Sequence, residues 1–149
     1  MDIEAHTGFG PLTFGEEVPG SWRGKFEPGS ECFGDTLQHS KYGTVEIWSE
    51  DGTVNTQVTA LILADKKART KSGVHIGTTL ASVKKKHGNL KKVAEDDWSG
   101  IARYESRQKS SGAGSLSQYF EVLDGKVIGI SLEPSGERYI QSDRICGGA

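Results

Sequence analysis

Hydrophobic residues alternate with polar ones in two pairs of runs, and each pair brackets an Asp-Gly. Around "EIWSEDGTVNTQVTALIL" (46–63), Val45 and Ile47 fall before the Asp-Gly, and Val58, Ala60 and Ile62 after it. In "YFEVLDGKVIGISLE" (119–133), Phe120 and Val122 come before, and Ile128, Ile130 and Leu132 after. A period of two places such residues on one face of a half-buried strand. Asp-Gly adopts the positive φ angles that a type I′ turn demands. The pattern therefore predicts two β-hairpins.

Each hairpin has a related segment upstream, "GPLTFGEEV" (10–18) and "GVHIGTTLASV" (73–83). Gly10 to Gly73 is a shift of 63, Gly15 to Gly77 a shift of 62, and Asp51 to Asp124 a shift of 73. The order repeats: a glycine-flanked strand, a turn, then an Asp-Gly hairpin. The additional residues of the second copy fall in the Ser/Gly-rich stretch 106–118. Self-similarity of this length predicts a duplicated α+β unit.

The stretch "SGVHIGTTLASVKKKHGNLKK" (72–92) gives the second unit its detail. Val74–Ile76 is expected as a short strand and Gly77 as a turn. Thr78 is the expected N-cap. Roughly two helical turns follow with Leu80, Ala81 and Val83 inward, and Gly88 fits the left-handed position that ends helices. Lys84, Lys85 and Lys86 would then offset the negative end of the helix dipole. The glycine spacing is not that of a Walker loop, which needs GxxxxGK[ST]. In the first unit Pro19-Gly20 occupies the corresponding place, so that helix should be short, distorted or absent.

Composition agrees with a glycine-rich, β-dominated globular chain: 149 residues, 20 Gly against 4 Pro, 34% hydrophobic. No run reaches the length of apolar residues that spans a bilayer. The opening residues "MDIEAHTGFG" contain no basic, apolar and cleavage-site succession. Export is expected nonetheless, with any leader already removed, and the localisation expected is periplasmic or secreted.

Charge is segregated although the net is only −2. Residues 66–92 hold nine Lys/Arg and no acid, while residues 1–65 hold 3 Lys/Arg and 11 Asp/Glu. Nine cations on one face would bind phosphate strongly. No aromatic residue lies among them to stack a base, so nucleic acid is not the expected partner. Cys32 and Cys146 stand 114 residues apart, without zinc-ligand spacing. They are either a disulfide, worth up to about 4–5 kcal/mol on the chain-entropy argument, or two buried thiols of a cytosolic protein.

Catalytic chemistry is thin. His6, His39, His75 and His87 are dispersed; a helix would make Asp35 and His39 neighbours, with a serine joining them in space, but such a trio carries little weight among so many serines. "AEDDW" (94–98) gathers acids beside Trp98, but EF-hand spacing is missing; a solvated turn facing the basic segment is the expected role. No cofactor, metal site or catalytic residue is expected. Trp22, Trp48, Trp98, Tyr104, Tyr119 and Tyr139 divide between core and surface, and any left exposed is a candidate anchor for a protein partner. The turn "PSGERYI" (134–140) supplies the candidate partner-binding residues Ser135, Gly136, Arg138 and Tyr139.

The run from 58 to 92 through the hairpin 119–133 resembles a domain pattern of bacterial exported and envelope-lipoprotein-like proteins of unassigned function. Its features are a strand, a threonine-bearing loop, G-[VI]-x-[VI]-G-x-[ST], a short helix and a closing DG-x-V hairpin. Many small secreted members end in a cysteine-containing tail, as "RICGGA" (144–149) does. The spacing from Gly73 to Val83 is also similar to the repeat unit of the β-lactamase-inhibitor protein, a tandem pair of helix-plus-sheet units. The within-repeat disulfides of that protein have no counterpart here. Ser135-Gly136-Glu137-Arg138-Tyr139 matches the SGxxY string of periplasmic lysozyme inhibitors.

These readings give an α+β fold: a single domain over 1–149 with an antiparallel sheet and short helices on one side. Repeat one covers about 8–65, repeat two about 70–135, and the C-terminal tail 136–149. The expected function is non-catalytic binding of a protein, with a hydrolase of β-lactamase or lysozyme type as the partner the resemblance implies, by a monomer. A structural envelope domain, a hydrolytic enzyme with an unrecognised site and a small-ligand binder remain open.

Overall fold

The computed structural model describes residues 72–107 and 116–136 without a break. Before them it describes the shorter stretches 2–4, 8–9, 12–13, 17, 20–23, 26, 35–39, 43–49, 58–63, 66 and 69–70. Cys32, Cys146, Arg138, Tyr139, the Asp51-Gly52 turn and the loop 108–115 lie outside the described residues.

The second hairpin forms as its pattern demands. Strands β10 (Leu116–Leu123) and β11 (Lys126–Pro134) pair antiparallel, with Leu123 opposite Lys126. Between them Asp124 has φ 52° and Gly125 φ 76°, the double positive φ of a type I′ turn. A register shift between Glu121 and Val122 puts Val127, not the expected Ile128, on the buried face with Ile130 and Leu132, and leaves Ile128 half-buried. In the first half, β5 (Gly43–Ser49) and β6 (Val58–Leu63) also pair antiparallel.

Earlier in the chain come β1 (Asp2–Glu4), β2 (Gly8–Phe9), β3 (Leu12–Thr13), β4 (Asp35–His39) and β7 (Arg69–Thr70); Asp35 and His39 are thus the two ends of a strand and not neighbours on a helix. Strands β8 (Lys91–Glu95) and β9 (Ala102–Arg107) complete the set. A seven-stranded sheet runs in the order β4-β5-β6-β11-β10-β9-β8, and every neighbouring pair in it is antiparallel. It consists of a three-strand and a four-strand meander joined last strand to last strand, β6 to β11. A smaller sheet, β3-β2-β1-β7, contains one parallel pair, β1 with β7.

One face of the large sheet is apolar. Phe120, Val122, Ile130 and Leu132 occupy it and are buried. Helix α2 (Leu80–Lys86) lies against this face: Val83 is 0% exposed, and the ring of His87, next after the helix, stands 5.1 Å from that of Phe120. Leu80 is half-buried, whereas Ala81 is exposed and not inward. Helix α1 is the short element expected beside Pro19, four residues from Gly20 to Arg23.

Three local expectations around α2 are corrected. Residues 74–76 do not form a strand, because Gly73 at φ 88° and Gly77 at φ 99° turn the chain on both sides of them. Hydroxyls capture the free amides instead: Thr70 Oγ1 accepts from Val74 N at 3.1 Å and Thr78 Oγ1 from His75 N at 3.0 Å. The N-cap is Thr79, not Thr78; its hydroxyl accepts from Ser82 N at 3.3 Å. The helix ends at His87, whose amide donates to Val83 O, with φ −127° and no left-handed glycine. The three lysines do fill the last turn.

The opposite face of the sheet is polar and yet buried. Arg103, Tyr119, Glu121, Ser131 and Glu133 are all nearly inaccessible. The register sets Glu121 opposite Arg103, and Tyr119 opposite both Glu105 and Ser131.

Candidate functional site

Strands β8 and β9 are joined by a tight turn over residues 96–100. Asp96 Oδ2 accepts from Ser99 N at 2.8 Å, and Asp96 O accepts from Gly100 N at 2.8 Å. The Asp96 amide donates to Ile101 O at 2.9 Å, and Ser99 Oγ accepts from Ile101 N at 3.2 Å. Gly100 supplies the positive φ, 79°, that closes the loop. The result is a hydrogen-bonded tip with Trp98 at its apex, 96% exposed. Among the residues whose side-chain burial is described, no other large hydrophobic is exposed.

A single exposed apolar residue is ordinary on a protein surface. A tryptophan on a hydrogen-bonded turn differs in one respect: its backbone is already ordered, so little freedom is lost when it is buried against a partner. Trp is also among the residues that most often dominate interface energetics.

The second tip at the same end of the sheet is Asp124-Gly125. Strand β9 runs down from the 96–100 turn and β10 runs back up to Asp124. A Cβ on Gly100 would meet Leu123 Cδ1 at 3.6 Å. The start of α2 is fastened here as well, through Leu80 N to Gly125 O at 2.8 Å and Val127 N to Thr78 O at 2.8 Å.

Ser135 and Gly136, the described part of the candidate turn 134–140, lie at the opposite end, where β11 leaves the sheet. Ser135 Oγ is 2.7 Å from Ser117 Oγ. The Gly136 amide donates to Glu105 Oε2 at 3.0 Å, and Gly136 has φ 94°. That carboxylate also accepts from Tyr119 Oη at 2.6 Å. Burial works to raise the Glu105 pKa, but hydrogen bonds from Tyr119, Gly136 and Ser117 and the charge of Arg107 outweigh it and hold the group below its ordinary value. Ser135 and Gly136 are thus part of a fastened turn, and β11 separates them from Trp98.

His87 is the histidine with the richest environment. Its Nδ1 is 2.9 Å from Ser106 Oγ and its Nε2 3.0 Å from Ser72 Oγ. Ser106 donates to Asn89 Oδ1 at 3.3 Å, so Ser106 Oγ is an acceptor for His87 Nδ1–H. That leaves Nε2 to accept from Ser72, whose oxygen faces Thr70 Oγ1 at 2.9 Å. Burial, and then the neighbouring Lys86 charge, lower the His87 pKa. The ring is neutral at pH 7 and ties the end of α2 to β9. Among the described residues no carboxylate contacts it, so the serine–histidine pair has no acid behind it.

His75 is half-buried in a turn, with Nδ1 2.9 Å from Ile76 O, and is not the strand residue expected. Arg103 is fully buried between Glu121 at 3.0 Å and Glu133 at 2.8 Å. Ser131 Oγ donates to Glu133 Oε2 at 2.5 Å. The three acids of "AEDDW" serve separate purposes: Glu95 pairs with Lys92, Asp96 caps the turn, and Asp97 is exposed. No group of His, Cys, Asp or Glu among the described residues could hold a metal ion.

Comparison with family models, curated proteins and solved structures found no match.

The exposed tryptophan was one of several aromatics that the sequence left unranked. The structure separates three of them: Tyr119 is buried, Tyr104 half-buried and Trp98 exposed, while Tyr139 and the side chains of Trp22 and Trp48 lie outside what is described. The signal lay in its neighbours. In "DDWSG" every residue beside the indole favours a turn, and a turn apex has nothing to pack against.

Proposed function

We propose that this chain is a non-catalytic, exported protein-binding domain and that Trp98 is its anchor. The observation that carries the reading is the almost complete exposure of Trp98 on a hydrogen-bonded hairpin tip. A tryptophan buries a large apolar area when a partner covers it, and Trp is enriched among the residues that dominate interface energetics. The hydrogen-bonded geometry of the tip suits insertion into a cleft, which is where a hydrolase inhibitor acts.

Other features support parts of the reading. The last-strand-to-last-strand joining of two meanders agrees with two tandem units of the inhibitor-like kind. Lys84, Lys85 and Lys86 lie at a helix end and Lys91 and Lys92 on the edge strand β8, and two of them are engaged locally, Lys86 with Ser72 O and Lys92 with Glu95. That distribution favours a solvated surface over a phosphate groove. No described helix is long and apolar enough to cross a membrane. A periplasmic or secreted location goes with the proposed Cys32–Cys146 bridge, which mass spectrometry after alkylation without reductant would reveal by the absence of labelled thiols.

The deciding experiment titrates the purified chain against lysozyme on peptidoglycan and against a β-lactamase on a chromogenic β-lactam. The expected result is saturable inhibition of one enzyme, abolished by Trp98→Ala, with no hydrolysis by the chain alone. Inhibition of neither enzyme removes the inhibitor reading, and turnover by the chain itself removes the non-catalytic one.

A further inference from the structure

The end of the sheet that carries Trp98 also carries a distinct charge pattern. Asp97 and Asp124 are both exposed, and among the described residues neither is in an ion pair. Asp97 adjoins the indole in the chain. Asp124 crowns the neighbouring hairpin, whose Leu123 approaches the base of the Trp98 turn at Gly100. Within the two turns acid outnumbers base: Asp97 and Asp124 stand against one exposed lysine, Lys126, two residues beyond Asp124, and Lys92 is already matched by Glu95. The tip is therefore an aromatic knob with an acidic collar.

We propose that this tip, Trp98 flanked by Asp97 and Asp124, docks into an apolar socket on a protein whose rim carries lysine and arginine side chains. The proposal rests on the reading of Trp98 as a binding anchor and adds the chemistry of what receives it. Burial of the indole supplies the affinity, and the collar supplies steering and orientation, since rim charges act mainly on encounter and on rejection of wrong partners. The same collar argues against a lipid surface, because cytoplasmic and bacterial membranes present anionic headgroups that repel carboxylates. Both turns are fixed by backbone hydrogen bonds and positive φ angles, so the collar is preformed.

The test selects disulfide-cyclised peptides from a phage-displayed library on the immobilised full chain. Binders are sorted by whether Trp98→Ala abolishes binding. The Trp98-dependent peptides should be enriched in Lys and Arg around an aliphatic or aromatic residue. One such peptide, synthesised, should lose roughly three- to tenfold in affinity at low salt when Asp97→Asn and Asp124→Asn are combined. Asparagine keeps both turns, since it tolerates the left-handed backbone at position 124. Trp98-dependent peptides without basic enrichment would overturn the basic rim and leave the protein-binding reading standing. The absence of any Trp98-dependent peptide would overturn both. A Trp98-dependent blue shift of fluorescence on vesicles of phosphatidylglycerol and phosphatidylcholine would replace the protein socket with a lipid surface.

Discussion

The guanidinium carbon of Arg103 sits 3.8 Å from the centroid of the Tyr119 ring, and the same guanidinium reaches Glu121 and Glu133 on the two strands beyond. One cation thereby binds β9, β10 and β11 together on the polar face of the sheet. Burial works to lower its pKa, but the charges and hydrogen bonds of Glu133 and Glu121 more than compensate and raise it. Arg103 is permanently charged.

Removing this cation leaves two buried carboxylates without it, the costly way to break a buried pair. Arg103→Ala should destabilise the fold by about 3–5 kcal/mol, read from the urea midpoint. Arg103→Lys should recover little, because an ammonium cannot reproduce the planar stack on Tyr119 and the fork to two carboxylates. A loss below about 1 kcal/mol would show that the network contributes little.

The Asp124-Gly125 turn makes a separate prediction. Gly125 holds φ 76° with open space where a Cβ would lie, so the penalty for Gly125→Ala comes from the backbone alone. It should be about 1–2 kcal/mol, measured by thermal or urea unfolding. Asp124→Asn should be close to neutral, since asparagine tolerates the left-handed region.

Acid should weaken the fold in two stages. His87 has a folded pKa below its ordinary 6.5, so the unfolded chain takes up that proton first. Stability is therefore unaffected by this group above about pH 6.5 and is lost as pH falls below it. Glu105 is also depressed. Its contribution is present above the ordinary carboxylate value and is lost as pH falls through the lower folded value. Urea midpoints measured between about pH 8 and pH 3 should show both declines. His87→Gln should flatten the first and leave the second.

Trp98→Ala should leave the unfolding midpoint within about 0.5 kcal/mol of the parent, as expected for an exposed side chain away from packing. The same substitution should remove a fluorescence component that is open to collisional quenchers, as a 96% exposed indole must be. A destabilisation well beyond that range would mean the indole packs against the fold and is not a free anchor.

What the sequence disclosed depended on how local the physics was. The β10–β11 hairpin could be read because its turn requires two positive φ angles and its apolar residues recur at every second position. Short-range capping was partly legible, since either Thr78 or Thr79 could end the turn and only the geometry of Ser82 N chose between them. The polar face was not legible. Arg103, Glu121 and Glu133 alternate with the apolar set and so read as solvated, yet they meet across 18 and 30 residues of chain. No local period encodes that meeting. In residues 74–76 the β-branched Val74 and Ile76 favour a strand by local propensity, and the two glycines that bend the chain around them override it. In the sequence His87 is one of several scattered histidines, because Ser72 and Ser106 lie on either side of it in the chain and come together only in space.

The joint between β6 and β11 spans three residue pairs, Leu63–Ile130, Ile62–Ser131 and Leu61–Leu132, fewer than any other seam of the large sheet among the described residues. Under tensile load across the strands, fracture should begin there. The two meanders would then separate as intact leaflets, the later one still riveted by Arg103 and still presenting its indole.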